Sequence, residues 1–276
     1  METLARNRIV GVDFSGAKDA GKRIWIASGT PAGGTLQIYD CRRALDLPGS
    51  SRERVQSLHA LRRLIVNESE AVIGLDFPFG LPRLLADYDD WESFVLAFPH
   101  DYASAEAFRQ GCRGAAQGRE LRRVTDRVAR TPFSPYNIRL YRQTYYGIRD
   151  LLRPLIQKTQ ACVLPMQEAE EDKPWLLEIC PASTLKRGGL YAPYKGGRDE
   201  HRSARLRILR ELEARAIAIR PGLRSTIVDD VGGDALDSVV AALATFTALR
   251  NSLVVDAEDR AVYAIEGYVY VGNPGE

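Results

Sequence analysis

The sequence predicts a mixed α/β sheet flanked by helices and interrupted by one long helical segment. Three observations carry this reading. Short β-rich runs divided by glycines come first; a continuous apolar run, residues 71–75, follows an amphipathic helix; and residues 83–172 switch to helical composition. With 276 residues, 45% hydrophobic and 27% charged, the chain suits one large domain, 1–276, that carries a sizeable insertion.

Taken in order, residues 8–14, 23–27 (RIWIA) and 36–41 (LQIYDC) form three strands in meander order, with Gly16, Gly21, Gly29, Gly33 and Gly34 supplying the turns. Val55, Leu58, Leu61 and Ile65 recur at helical spacing and predict a helix over 53–67. The apolar run 71–75 is an interior strand covered on both faces, ended by Pro78 and Pro82. In the insertion, helices are expected near 91–98, 103–129 and 139–158, broken by Pro99, Pro132 and Pro135. Residues 175–179 (WLLEI) return to strand character, 200–216 and 234–249 are helices, and 262–271 closes the chain with β-prone residues. This order is also that of the ribonuclease H-like fold, a five-stranded mixed sheet. Under that reading 83–172 is a helical insertion between strands four and five.

No apolar run approaches the roughly 20 residues that span a membrane. Residues 1–6 lack the charged-then-apolar pattern of a signal peptide. Cys41, Cys112, Cys162 and Cys180 are far apart with no CxxC pair, which predicts reduced thiols in a cytoplasmic protein and no zinc cluster. His59, His100 and His201 have no triad or ligand spacing, and Ser15 and Ser183 lack a nucleophile elbow.

The acids are more informative. Gly11-Val12-Asp13-Phe14 is echoed by Gly74-Leu75-Asp76-Phe77, each at the end of an apolar run. A carboxylate in such surroundings is costly unless compensated. In the fold just described the first and fourth strands are parallel neighbours about 4.8 Å apart, so their carboxyl ends share one edge. Open α/β sheets place ligands there. Asp234 and Asp237, at i and i+3, share one helix face near its positive end. Four converging carboxylates repel unless a hard cation such as Mg2+ or Mn2+ joins them. Two such ions can drive phosphodiester hydrolysis. Glu178, inside WLLEI, is a fifth candidate. Taken singly, Asp13 also suits a turn start, and Asp234 an ordinary first-turn acid.

The stretches GVDFSGAKDAGKRIWIA, IGLDFPFGLP, LEICPAS, DALDSVVAAL and EGYVYV resemble the domain-of-unknown-function 429 family across nearly the whole chain. That family is regarded as a predicted nuclease branch of the ribonuclease H-like superfamily, and the D-x-x-D helix is similar to that of its Holliday-junction resolvases. The resemblance implies that Asp13, Asp76, Asp234 and Asp237 bind metal. Many relatives of the wider fold carry glutamate where Asp76 stands.

Between Arg109 and Lys158 twelve Lys or Arg face three acids, and Phe133, Tyr136, Tyr141, Tyr145 and Tyr146 are interleaved. A cationic face neutralises phosphates and aromatic rings stack on bases, so Arg122, Arg123 and Arg127 are candidate nucleic-acid contacts. A solvated basic helix with inward tyrosines fits the same pattern. Lys195 and Arg198, flanking a glycine pair, are further candidate phosphate contacts. The leading expectation is a metal-dependent nuclease acting on DNA or RNA. The alternatives are a non-catalytic nucleic-acid-binding protein and an ATP-binding protein of actin or sugar-kinase type. The last normally requires a second phosphate loop and a second similar domain.

Overall fold

Strand alternation explains the echoed tetrapeptide. In β1 (Arg8–Asp13), Val10 and Val12 face one hydrophobic layer, while Ile9 faces the other. Gly11 and Asp13 share the second face, because side chains two apart point the same way. In β4 (Ala71–Leu75), Ile73 and Leu75 face the first layer and Val72 the second, so Gly74 and Asp76 repeat the pattern. The two strands are parallel neighbours with Gly11 opposite Gly74 and Val12 opposite Leu75. The Asp76 N–H donates to the Val12 carbonyl at 3.0 Å, carrying the ladder to the two aspartates.

The computed structural model describes residues 6–255 and 258–273. β1 also pairs antiparallel with β2 (Trp25–Ala32), and β2 with β3 (Thr35–Arg43). The sheet continues through β5 (Cys162–Leu164), β6 (Trp175–Ile179) and β7 (Ile217–Ile219) in the order β5-β6-β4-β1-β2-β3-β7. β8 (Val269–Tyr270) pairs with β6 beyond the end of β5. Among the described residues the sheet therefore has eight strands, not five, and is mostly parallel. The added strands, β5, β7 and β8, are too short to leave a period in the sequence.

The first layer is formed by α1 (Arg54–Val66) and by helices between β4 and β5: α2 (Trp91–Asp101), α3 (Ala105–Ala115) and, past α4 (Val124–Val128), which lies outside this cluster, α5 (residues 141–157). The second contains α6 (Pro181–Arg187), α7 (Asp199–Arg215), α8 (Leu223–Asp229) and α9 (Asp234–Arg250). The single helix expected over 103–129 is two, because Gln117 and Gly118 take positive φ (53° and 80°) and turn the chain. Pro99 does not break α2, which runs on to Asp101. The β-prone 262–271 is mostly α10 (Arg260–Glu266), with β8 only at its end. There the Glu266 carboxylate accepts from the Arg83 and Val124 N–H groups at 2.7 Å each, and such tertiary ties override local propensity. Among the described residues no single helix is long and apolar enough to cross a membrane. Residues 1–5, read above for a targeting signal, lie outside the described residues.

The paired glycines decide how near α9 comes. A Cβ on Gly11 would overlap the Ala242 nitrogen and Ser238 oxygen of α9, and one on Gly74 the Thr245 hydroxyl. Leu236, Val239, Val240 and Leu243 are wholly buried beneath the same helix. Each contributes roughly 1.5–3 kcal/mol of burial free energy. Gly74→Ala is expected to destabilise the chain by about 1–3 kcal/mol through overpacking. Urea denaturation checks this, and a variant as stable as the parent would show that the glycines do not set the approach.

Candidate metal-binding cleft

Because β1, β4 and α9 meet in this way, the ends of the two strands and the start of the helix form one acidic cleft. An oxygen from each of Asp13, Asp234 and Asp237 lies within 4.8 Å of the others. Asp76 lines the same cleft beside them but stands outside that group. Asp13 and Asp237 are buried, whereas Asp234 and Asp76 are half-buried. The start of α9 is built for the task. Gly233 takes φ +76°, a left-handed conformation that suits glycine, and the Asp230 carboxylate accepts from the Asp234 and Ala235 N–H groups at 2.8 and 3.2 Å.

Asp237 is held on both oxygens. The buried Tyr194 hydroxyl donates to Oδ1 at 2.6 Å, and the Lys195 ammonium sits 2.6 Å from Oδ2 and 3.4 Å from Asp234 Oδ1. The buried Arg205 guanidinium pins that loop, donating to the Tyr194 and Gly196 carbonyls and to Val228. Lys195 thus lies at the site as expected, but as a counter-ion to the carboxylates. Gln143 of α5 ties the insertion to both strand ends, donating to the carbonyls of Phe14 at 2.6 Å and Asp76 at 3.4 Å.

Burial, reinforced by the Asp237 charge, pushes Asp13 well above the ordinary carboxylate range, although Lys195 pulls the other way. The same causes raise Asp76 to about 8. Asp234 is also raised, by burial foremost and against the pull of Lys195. Burial drives the Cys180 thiol up to about 12, so this cleft-lining sulfur is no thiolate nucleophile at neutral pH.

Glu178 does not join the acidic group. Next to Leu75 in register, it belongs with the other face of the sheet. There its oxygens take the Arg123 guanidinium and, at 2.9 Å, the Phe79 N–H. Arg123 also binds Asp126 at 2.8 Å and is 1% exposed. Burial alone would lower its pKa, but the two carboxylates hold it well above its ordinary value. Arg123, read above as a phosphate contact, is a buried counter-ion here that joins the insertion to β6, and with Glu178 it lines the cleft. Arg122 and Arg127 are exposed but line a separate depression with Glu120 and Glu266, and Arg198, exposed at the start of α7, does not line the cleft. Tyr136, Tyr141 and Tyr145 are buried in the core.

Tyr194, Arg205, Asp230 and Gln143 are additional to the residues singled out from sequence. Tyr194 immediately precedes Lys195, to which the glycine pair drew attention; the others carry no local signal.

A family model described as "Protein of unknown function (DUF429)" matches residues 11–260, and the chain belongs to that family. No curated protein and no solved structure matches it.

An aspartate whose folded pKa exceeds its unfolded value, near 3.9, holds a proton in the folded chain that it loses on unfolding. Stability therefore falls as pH rises from about 4 towards about 8. The metal-free chain should melt higher at pH 5 than at pH 8, and Asp76→Asn should flatten that dependence and raise the melting temperature at pH 8. Thermal melts in chelator across this range check it; an unchanged slope in the variant would make Asp76 an ordinary exposed acid.

Proposed function

We propose that this DUF429-family chain is a metal-dependent phosphodiesterase acting on nucleic acid, on a sheet of ribonuclease H-like order. One observation carries the reading: carboxylates from a strand end and a helix start place three oxygens within 4.8 Å of one another, beside the acid of the neighbouring parallel strand. The strand order β3-β2-β1-β4-β6 at the centre supports the fold assignment.

The donor set suits a hard cation. It is all oxygen, and burial and mutual repulsion push Asp13 upward, a strain that a divalent ion relieves. Asp13, Asp234 and Asp237 would hold one Mg2+ or Mn2+, and Asp13 with Asp76 a second. Bound there, such ions supply Lewis-acid polarisation of a phosphoryl oxygen and activation of water.

The chain's own groups do the rest. The Tyr194 hydroxyl fixes Asp237 in orientation, as outer-shell hydrogen bonds do for metal ligands. Lys195 offsets part of the negative charge and, on its flexible stem, is placed to pass from the carboxylates to a phosphate oxygen. The Gln143 bridge keeps the two strand ends together while the insertion walls the cleft.

Calorimetric titration with Mn2+ should show two sites per chain and a raised melting temperature, by linkage. Asp76→Asn should keep one site and lose the other. Labelled DNA and RNA oligonucleotides should be cut by the parent with Mn2+ and left intact by Asp13→Asn or Asp237→Asn. Nucleic-acid binding without cleavage would favour a non-catalytic binder. ATP turnover without nucleic acid would favour the kinase-like alternative.

A further inference from the structure

Resting on that reading, we infer that the substrate enters the cleft as an unpaired strand whose bases stack on Tyr191 and Phe133, rather than as an intact duplex. Of the aromatic residues nominated within the insertion, Tyr136, Tyr141 and Tyr145 cannot serve, being 0–8% exposed. The cleft keeps one nominated ring, Phe133, and adds another, Tyr191. Tyr191 is 52% exposed and lines it from the segment after α6, and half-buried Phe133 lines it from the insertion.

Each ring carries a cation. The Lys186 ammonium lies 5.4 Å from the Tyr191 centroid and the Arg139 guanidinium 5.5 Å from that of Phe133. Both cations are exposed and line the cleft. An aromatic face beside a positive charge is the arrangement that takes a base and its phosphate together, tolerant of sequence.

Tyr191 is also coupled to the acids. Its ring meets that of Tyr194 edge-on at 6.3 Å and 81°, and the Tyr194 hydroxyl holds Asp237. A base on Tyr191 would therefore lie one ring away from the carboxylates, with its backbone near them.

Size points the same way. The cleft encloses about 690 Å³. That is the scale of pockets for drug-sized ligands, roughly 300–1,000 Å³, and of a nucleotide unit or two. An intact duplex keeps its bases stacked on one another and offers only backbone, which would leave both rings without a partner.

Fluorescence anisotropy of the full chain, with calcium in place of magnesium to suppress cleavage, tests this. The probes are labelled single-stranded DNA, single-stranded RNA and the matching duplexes. Single strands should bind more tightly than duplexes, and the DNA and RNA arms report which sugar is preferred. Tyr191→Leu and Phe133→Leu should each weaken single-strand binding by roughly 5- to 150-fold, the range for losing one stacked base. Tyr191→Phe, which keeps the ring, should restore it, and duplex binding should not change. Equal affinity for strand and duplex, or Leu variants that bind single strands like the parent, would overturn the unpaired-strand inference and leave the nuclease reading standing. Failure of the parent to bind any of these probes, with Mn2+ binding intact, would instead remove the nucleic-acid reading itself.

Discussion

The site depends on how closely one helix can lie on two strands. Opposed glycines in β1 and β4 remove the side chains that would hold α9 away. The start of α9 then reaches the carboxyl edge of the sheet, where Asp13 and Asp76 extend the same face by one alternation. Buried carboxylates repel one another and lose hydration, both costs to the folded chain. A structure that gathers them nonetheless, and then supplies an ammonium and a tyrosine hydroxyl to Asp237, spends stability on a local field. Such trade-offs concentrate where chemistry or binding is done.

The long segment between β4 and β5 is tied to this centre at two places with different physics. Gln143 uses neutral hydrogen bonds to the backbones of both strand ends. Arg123 uses a buried ion-pair network with Asp126 and Glu178. Breaking a buried network of that kind leaves charges without partners and costs several kcal/mol, so the insertion is fixed to the sheet at that point. One wall of the cleft is thereby part of the folded core.

Much of this was legible in the sequence, and the reasons differ from residue to residue. The apolar runs that end in GVDF and GLDF mark the two strand ends, and the i, i+3 spacing of Asp234 and Asp237 marks a shared helix face; both depend only on local sequence. Strands as short as β7 and β8 leave no period, and α10 was hidden because Glu266 earns its place through distant N–H groups. The pairing of Glu178 with Arg123 is invisible in the sequence. Each is a charged residue whose partner lies far along the chain, and a charge cancelled by burial looks the same in sequence as one left for a ligand. Conversely, Tyr191 is one tyrosine among twelve, and only its exposure in the cleft distinguishes it.

The central claim is that the meeting of β1, β4 and α9 is a cation site. Diffraction from a crystal grown with Mn2+, recorded at the manganese absorption edge, tests it most directly. An anomalous peak bounded by Asp13, Asp234 and Asp237, with the Lys195 ammonium moved off Asp237, is the predicted result. Saturating Mn2+ that leaves this position empty, with Lys195 still on Asp237, would contradict it and make the acidic cluster a lysine-neutralised structural feature.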